Sequence, residues 1–186
     1  MKRAFDIALA LLLCPVILPV MAVCAIVVRF DSPGPVLHIS RRVGRKNALF
    51  NMPKFRTMHM GTPQLATHLL MNPSNHLTRA GGFLRKTSLD ELPQIWSVLR
   101  GDMSFVGPRP ALFNQYDLIE ARTIRGIDCL RPGITGWAQI NGRDEIPLDK
   151  KVELDLEYLK KRSFLLDWKI LFRTAMNAVA SENISH

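Results

Sequence analysis

An uninterrupted apolar stretch near the amino terminus restricts the fold of this chain more than any other feature. Residues 7–28, IALALLLCPVILPVMAVCAIVV, contain no charged side chain. As a helix rising ~1.5 Å per residue they would extend ~33 Å, enough to cross a hydrocarbon core of ~30 Å. A cleavable signal peptide fits poorly, because the stretch is too long, contains Pro15 and Pro19, and lacks a small-x-small cleavage site. The stretch therefore predicts a helix that enters a membrane.

The two prolines in this stretch predict a bend. Proline has no N–H, so Pro15 and Pro19 cannot donate hydrogen bonds to the carbonyls one turn earlier, at Leu11 and Pro15. Two successive turns therefore lose a bond, and a sharp bend near the middle of the helix is expected.

The charges on either side of the stretch bear on how it sits in the membrane. Lys2 and Arg3 precede it, and the positive-inside rule places the larger basic group that follows it in the cytoplasm. A straight span would leave Lys2 and Arg3 outside, whereas a bent, re-entrant helix keeps both groups at the anionic cytoplasmic leaflet. Kinked spanning helices are the commoner arrangement, so the residues alone leave spanning and re-entry both open. The following group consists of Arg29, Arg41, Arg42, Arg45 and Lys46.

The chain as a whole is basic, with 25 Lys and Arg against 16 Asp and Glu and a net charge of +9. Its 186 residues suit one domain with a sizeable core. The positive charge favours a polyanionic partner: a nucleic acid, an anionic membrane surface or a phosphate-rich substrate. Cys14, Cys24 and Cys129 lack metal-ligand spacing and are interpreted as reduced, structural residues.

Beyond the apolar stretch, the sequence predicts a mixed α/β fold, mainly helical with a small β-hairpin. VLHIS and ALFNMPKFRTM have the composition of two strands joined by the basic turn RRVGRKN. Residues 59–80 are rich in turn formers. The histidines there, His59, His68 and His76, match no metal-site spacing and are interpreted as surface residues in a loop.

Two helices are predicted near the carboxyl end. The first places Val152, Leu156 and Leu159 on one face and pairs Glu157 with Lys161 four residues later. The second begins near Ser163, and its apolar stripe fits packing on the core and lying in a membrane interface equally well. The stripe consists of Leu165, Trp168, Phe172, Ala175, Met176 and Val179.

Two adjacent carboxylates, Asp90 and Glu91, lie in the segment KTSLDELPQ. Ser88 followed by Glu91 matches a capping box, a common helix start with no chemistry of its own. Pro93 would then fall at the fifth helical position, where its ring and missing N–H are costly. With Asp90 as the cap, Pro93 falls in the first turn, where proline is tolerated. Asp90 is therefore predicted at a helix amino terminus, where free N–H groups favour a phosphate.

Cations framed by turn residues occur on both sides of this segment. Arginine presents a planar fork that suits phosphate oxygens, and glycine lets a ligand approach the backbone closely. Each arginine alone is most simply a solvated surface residue, but several of them beside a carboxylate pair favour a diphosphate site. The candidate phosphate-binding residues are Lys54, Arg56, Arg85, Arg109, Arg131, Gly133 and Arg143.

Four long motifs follow one another along the chain, and with them it resembles the bacterial sugar transferases. These are the small monotopic phosphoglycosyl transferases that start bacterial glycoconjugates. The resemblance runs from about Lys2 to Val179 and corresponds to the minimal catalytic unit of the family. The motifs are KFRTM, LTRAGGFLRKTSLDELPQIWSVLRGDMSFVGPRP, RPGITGWAQINGR and DLEYLKKRSFLLDWKILFRT.

The resemblance implies transfer of sugar-1-phosphate from a UDP-sugar to undecaprenyl phosphate, a polyprenol phosphate, with release of UMP. It makes Asp90 the nucleophile of a covalent phosphosugar intermediate and Glu91 the residue that deprotonates or positions the acceptor phosphate. Mg²⁺ is the implied cofactor, with Asp90 as its contact, and Asp167 joins the substrate-binding residues. A carboxylate can attack phosphorus once cations neutralise the phosphate oxygens. The product would enter O-antigen, capsule, exopolysaccharide or glycoprotein synthesis.

The implied architecture is one functional unit with two parts. Residues 1–30 form a re-entrant membrane helix, and residues 31–186 form a cytoplasmic catalytic domain with interfacial amphipathic helices at its carboxyl end. The implied setting is the bacterial cytoplasmic (inner) membrane, with phospholipid contacts, no nucleic acid partner, and apolar helices that allow a homodimer. The family commonly breaks the helix at Ser-Pro, whereas this chain has Cys14-Pro15, whose thiol is a weaker donor. The break is therefore expected to depend on Pro15 and Pro19 together.

Two other functions stay open at this point. A non-catalytic, membrane-anchored basic module that binds anionic lipid or nucleic acid would need no fixed carboxylate pair. A polyprenyl-linked glycosyltransferase would release UDP rather than UMP, so the released nucleotide distinguishes these functions.

Overall fold

The computed structural model describes residues 1–62, 73–142 and 146–180. His68 and the candidate phosphate ligand Arg143 lie outside these residues. The described part is mainly helical with a small antiparallel hairpin, which confirms the predicted fold class. The helices are α1 (Lys2–Asp31), α2 (Arg79–Lys86), α3 (Ile95–Arg100), α4 (Tyr116–Ile124), α5 (Trp137–Ile140), α6 (Leu148–Lys161) and α7 (Phe164–Ala180), and the strands are β1 (Leu37–Val43), β2 (Leu49–Phe55), β3 (Ser104–Val106) and β4 (Gly133–Thr135).

The apolar stretch lies within α1, which is long and apolar enough to cross a membrane. Helical structure runs through Pro15 and Pro19 without interruption. The bend predicted at Cys14, Pro15 and Pro19 stays a prediction. Many of the large apolar side chains of α1 are exposed, whereas the buried ones, Ala10, Cys24 and Val28, lie on the side that faces the rest of the fold. An apolar surface of this size fits a membrane anchor.

Both ends of α1 are attached to the same folded unit. Near its start, the buried carboxylate of Asp6 accepts hydrogen bonds from Ser104 Oγ at 3.0 Å and from Phe105 N at 3.2 Å. At its end, Asp31 Oδ2 accepts a hydrogen bond from the backbone N–H of Ala80 at 3.1 Å. Between these points α1 packs on the core clusters that contain Met52 and Leu84. The helix therefore lies along the folded unit instead of projecting from it.

The predicted hairpin forms from β1 and β2, which pair antiparallel with Ser40 opposite Met52. β1 continues through the basic residues to Val43, three positions beyond the predicted strand VLHIS, which ends at Ser40. Because side chains alternate along a strand, Arg42 and Lys54 share one face of the hairpin with Ser40 and Met52. Ser40 and Met52 are buried, so this face points toward the core and the candidate site.

A short parallel pair, β3 and β4, brings two glycine-rich turns together. The turns approach so closely that a Cβ on Gly133 would lie 2.2 Å from Gly107 N, which no larger residue would tolerate. Gly107 N donates to Thr135 O at 2.9 Å. This contact fixes the start of the Pro108–Pro110 segment, which carries Arg109.

The two predicted carboxyl-terminal helices correspond to α6 and α7. α6 buries Val152 with Leu156 and Leu159 packed beside it, and Glu157 pairs with Lys161 at 2.8 Å, as predicted. The apolar stripe of α7 does not pack on the core. Of its members whose side chains are described, all lie exposed: Leu165, Trp168, Phe172, Ala175 and Met176.

An aromatic cluster links the start of α7 to the start of α1. The ring of Phe5 lies 5.1 Å from that of Phe164 and 5.6 Å from that of Trp168, both edge to face. Phe164 and Trp168 are about half exposed, so the cluster continues the apolar surface of α1 onto α7. Edge-to-face contacts stabilise such pairs by about 0.5–1.5 kcal/mol each.

Candidate active site

Asp90 and Glu91 lie in a six-residue 3₁₀ helix, Leu89–Gln94, between α2 and α3. Ser88 precedes it with a φ of 57°, and its side chain makes no capping hydrogen bond. The Ser88–Glu91 capping box, the alternative that Pro93 disfavoured, is not formed, because a capping side chain requires an extended backbone at Ser88. Asp90 is also not the cap residue but the second residue of the 3₁₀ helix. The left-handed backbone at Ser88 costs roughly 1–3 kcal/mol, a strain that proteins tend to keep at functional sites.

The Asp90 carboxylate is buried and lacks a hydrogen-bond partner among the described residues. Its residue is 7% exposed, and no described residue donates a hydrogen bond to it. Burial raises the pKa of Asp90, although the charge of Lys54 acts in the opposite direction. Asp90 therefore offers oxygens that are not engaged by the surrounding protein, which is what a nucleophile or a metal ligand needs.

The neighbouring Glu91 carboxylate is held by two cations. Glu91 Oε1 accepts a hydrogen bond from Lys54 Nζ at 2.6 Å and another from Arg109 Nη2 at 3.2 Å. Burial alone would raise the pKa of Glu91, but the charges of Arg109 and Lys54 outweigh it and lower that pKa to about 2. Glu91 is therefore ionised throughout the physiological range and is a weak base.

Lys54 lies near the end of β2 and reaches Glu91 from the inner face of the hairpin. Burial lowers the pKa of Lys54, and the charge of Glu91 opposes that shift. The ammonium thus depends on a nearby anion to stay charged in a partly buried cleft. Phosphate oxygens entering this cleft would be a second such anion.

Arg85 approaches Asp90 from α2. A Cβ on Gly81 would lie 2.1 Å from Thr57 O, so the glycine lets α2 pack directly on the segment after β2. Arg85 Nε then donates to Thr57 Oγ1 at 2.9 Å. The positive charge of Arg85 favours the ionised form of Asp90. The structure therefore brings together Lys54, Arg85, the adjacent pair Asp90 and Glu91, and Arg109 from four parts of the sequence.

Arg56, Arg131 and Gly133, which were also predicted to bind substrate, have contacts within the fold. Arg56 is 4% exposed and donates to Ser32 and Pro33, and Arg131 Nε donates to Gly101 O at 2.9 Å. Gly133 packs against Gly107. Their substrate-binding roles stay predictions.

Asp167 is engaged at the amino terminus of α1. Its Oδ2 accepts from Lys2 Nζ at 2.5 Å, and its Oδ1 accepts from the Tyr158 hydroxyl at 2.7 Å. This buried network joins α1, α6 and α7. The predicted role of Asp167 in substrate binding stays a prediction beside this observed contact.

Sequence reasoning missed three residues near the carboxylates. Arg42 and Gln94 line a cleft together with Lys54, Glu91 and Arg109. His38 stands opposite Lys54 in the hairpin, and partial burial, followed by the charge of Arg42, lowers its pKa. The alternation of β1 could have placed Arg42 and His38 on the face of Lys54, once the register was known.

The residues around Asp90 fit a magnesium ion that is shared with a substrate. Within residues 1–62, 73–142 and 146–180 there is no group of three or more His, Cys, Asp or Glu side chains that could hold a metal alone. Mg²⁺ needs only one or two carboxylates when substrate phosphates and waters complete its octahedron. The unpaired Asp90 carboxylate meets that requirement, while Glu91 is already occupied by Lys54 and Arg109.

Comparison with known proteins places this arrangement in a family. The family model described as bacterial sugar transferase matches residues 1–181. The chain is 40% identical over 195 residues to undecaprenyl-phosphate glucose phosphotransferase of Komagataeibacter xylinus and 43% identical over 192 residues to UDP-glucose:undecaprenyl-phosphate glucose-1-phosphate transferase of Escherichia coli K12. These matches cover 98% of this chain but only 36% and 41% of those proteins. An uncharacterized sugar transferase of Bacillus subtilis is 42% identical over 185 residues, covering 99% of this chain and 90% of that protein.

Proposed function

The chain belongs to the bacterial sugar transferase family, and we propose that it transfers a sugar-1-phosphate from a UDP-sugar to undecaprenyl phosphate. The observation that carries this proposal is the contrast between two adjacent carboxylates. Asp90 is buried and accepts no hydrogen bond within the described part of the chain, while Glu91 is held by Lys54 and Arg109. One carboxylate is thus available to react and the other holds the cations that a diphosphate requires.

In the first half-reaction, an Asp90 oxygen attacks the β-phosphorus of the UDP-sugar. A bond forms between Asp90 and that phosphorus, the bond from the β-phosphorus to the bridging oxygen breaks, and UMP leaves with the bonding electrons. Arg85, Lys54 and Arg109 supply the positive charge that offsets the negative oxygens of the transition state. Mg²⁺, when bound by Asp90 and the diphosphate, would add to this neutralisation and orient the leaving group.

In the second half-reaction, an oxygen of undecaprenyl phosphate attacks the same phosphorus. The bond between that phosphorus and Asp90 breaks, the carboxylate is regenerated, and a polyprenyl diphosphate sugar is released. Glu91 positions the acceptor phosphate through Lys54 and Arg109 instead of deprotonating it, because a carboxyl with a pKa of about 2 is a weak base.

The acceptor is a membrane lipid, and the geometry of α1 supports a monotopic arrangement. Its start is bonded to β3 and its end to α2, so both ends belong to one folded unit. A helix that crossed the bilayer could not have both ends on the same side. We therefore place α1 in the cytoplasmic leaflet of the inner membrane, entering and leaving by one face, with the exposed stripe of α7 in the interface beside it.

The decisive experiment measures the nucleotide released from UDP-sugars in the presence of undecaprenyl phosphate and Mg²⁺. UDP-glucose is the first donor to test, because two of the relatives are named as glucose enzymes, followed by UDP-galactose and N-acetylated UDP-sugars. We expect UMP release from the unmodified chain and none above background from Asp90→Asn. Asp117→Asn, an exposed position on α4, makes the same chemical change and should leave the rate unaltered.

Each alternative gives a different result in this experiment. Release of UDP would identify a glycosyltransferase. Salt-sensitive binding of nucleic acid or anionic vesicles without nucleotide release would identify a non-catalytic module. Full turnover by Asp90→Asn would exclude the covalent role of Asp90.

A further inference from the structure

The Pro108–Pro110 segment that carries Arg109 is held by its carbonyl groups. Pro108 and Pro110 have no N–H, so the segment offers mostly acceptors. Four successive carbonyls, from Pro108 to Ala111, each accept a hydrogen bond, and the donors come from β4, α4 and the end of β1. Pro108 O accepts from Gly133 N at 2.9 Å, Arg109 O from Arg122 Nη1 at 2.8 Å, Pro110 O from Arg42 Nη1 at 3.1 Å and Ala111 O from Val43 N at 3.0 Å.

Of these donors, Arg122 is itself held by a second side chain, that of Asp155. Arg122 lies on α4 with its side chain 10% exposed. Its Nε and Nη2 both bind Asp155 Oδ2 on α6, at 3.0 Å and 2.6 Å. The fork of the guanidinium is therefore fixed by Asp155, and its remaining nitrogen points at the backbone of Arg109.

We propose that Arg122 and Asp155 are positioning residues that set the backbone of Arg109, so that the Arg109 guanidinium reaches Glu91 and the substrate phosphates. The path runs from Asp155 through the Arg122 side chain to Arg109 O, and from Arg109 Nη2 to Glu91 Oε1 at 3.2 Å. Neither Arg122 nor Asp155 touches the reacting atoms. Their influence on catalysis rests on the proposed function and passes through Arg109.

The energetics of the pair favour positioning over stabilisation of the fold. Burial raises the pKa of Asp155 despite the charge of Arg122, so the ionised carboxylate is less favourable in the folded protein than in water. Buried ion pairs of this kind can be replaced by apolar residues of similar volume with little loss of stability. What such a replacement cannot reproduce is the hydrogen bond to Arg109 O.

The test replaces the pair together, as Arg122→Met with Asp155→Leu. We expect a melting temperature close to that of the parent protein but a fall in kcat/KM of about 10–100-fold, as for loss of an aligned charged contact. The same pair of replacements is then made in an Arg109→Lys background. Relative to Arg109→Lys alone, the two replacements should lower kcat/KM by less than about 3-fold, because the residue that they position has already been changed.

A second measurement tests, independently of enzymatic activity, whether the Pro108–Pro110 segment is still held in place. Hydrogen exchange of the peptide covering residues 105–112 should become faster in the Arg122→Met, Asp155→Leu protein, while exchange in β1 and β2 stays unchanged. Glu153→Gln is the matched control, because it breaks an exposed ion pair with Lys150 on the same helix. It should alter neither exchange nor rate.

The outcomes separate this inference from the proposed function. Equal losses of activity in the two Arg109 backgrounds, or unchanged exchange over residues 105–112, would overturn the positioning role. If the parent protein releases no UMP, the proposed function fails, and the exchange result still decides whether Arg122 and Asp155 hold the segment.

Discussion

At the scale of single residues, Asp90 and Glu91 are adjacent in the chain and close to the same cations, but they differ in the hydrogen bonds that they accept. Glu91 receives two charged hydrogen bonds, whereas Asp90 receives none from the described residues. Burial raises the pKa of Asp90, whereas the charges of Arg109 and Lys54 lower the pKa of Glu91 to about 2. Separating the acidities of two neighbouring carboxylates in this way assigns them different tasks.

This difference predicts the pH dependence of the first half-reaction. In the proposed mechanism Asp90 attacks only when ionised, so UMP release from the UDP-sugar alone should fall as pH drops through the raised pKa of Asp90, above the usual value of ~4. Lys54 lowers that pKa, so Lys54→Met should move the acid limb to higher pH. Single-turnover rates of UMP release without undecaprenyl phosphate measure this pH dependence directly, because no acceptor phosphate is present to titrate.

The control for this prediction is Lys46→Met, which removes an exposed lysine at the tip of the hairpin. Its acid limb should coincide with that of the parent protein. An acid limb that lies below pH 4, or that Lys54→Met leaves in place, would contradict the assignment of Asp90 as the ionising nucleophile.

At the scale of elements, the sequence predicted those features that depend on local pattern. The strands of the hairpin, the face of α6 and the Glu157–Lys161 pair are all encoded within a few residues. The prediction that Asp90 caps the helix was wrong, because the 3₁₀ helix begins one residue earlier, at Leu89, after a left-handed Ser88 that the local pattern does not reveal. Arg42 was missed for a related reason: its place in the cleft depends on the strand register.

The sequence indicated a group of candidate phosphate-binding cations, but not which of them lie beside the carboxylates. Lys54, Arg85 and Arg109 converge on the carboxylates, but Arg56 and Arg131 bind backbone carbonyls elsewhere. Both sets have the same flanking turn residues, so the sequence does not distinguish a ligand-binding arginine from one that satisfies buried carbonyls. Tertiary contacts decide between these two uses.

α7 gives a prediction at this scale. If its exposed stripe lies in the membrane interface, Trp168 should be quenched by lipids brominated near the headgroup. The protein with Trp96→Phe and Trp137→Phe retains Trp168 as its sole tryptophan. Reconstituted in brominated vesicles, it should lose at least half of its fluorescence.

The matched measurement keeps Trp137 instead, with Trp96→Phe and Trp168→Phe. Trp137 Nε1 donates to Glu157 Oε2 at 2.8 Å, and Lys169 lies over its ring, so this indole faces the folded unit. Its fluorescence should change little. Equal quenching of the two tryptophans would place the apolar stripe of α7 away from the lipid.

At the scale of the whole molecule, the attachment of both ends of α1 predicts a shared membrane face for the two termini. Epitope tags placed before Met1 and after His186 should both be cleaved by protease added to inside-out membrane vesicles. Neither should be cleaved in intact spheroplasts.

Replacing Pro15 and Pro19 by leucine tests the cause of this arrangement, since leucine restores both missing hydrogen bonds and favours a straight helix. We expect part of the amino-terminal tag to move to the periplasmic face in this variant. Cleavage of the two tags from opposite faces in the parent protein would show a spanning helix.

The contacts of α1 also set an order of events during synthesis. The partners of Lys2 and Asp6 lie about a hundred residues or more further along the chain, at Ser104, Tyr158 and Asp167. At ~5–20 residues per second, the ribosome needs roughly 5–20 s to make the 98 residues that separate Asp6 from Ser104. The partners of the other end of α1, such as Phe55 and Leu84, are made earlier. We therefore expect the carboxyl-terminal half of α1 to pack on the fold before its amino terminus does.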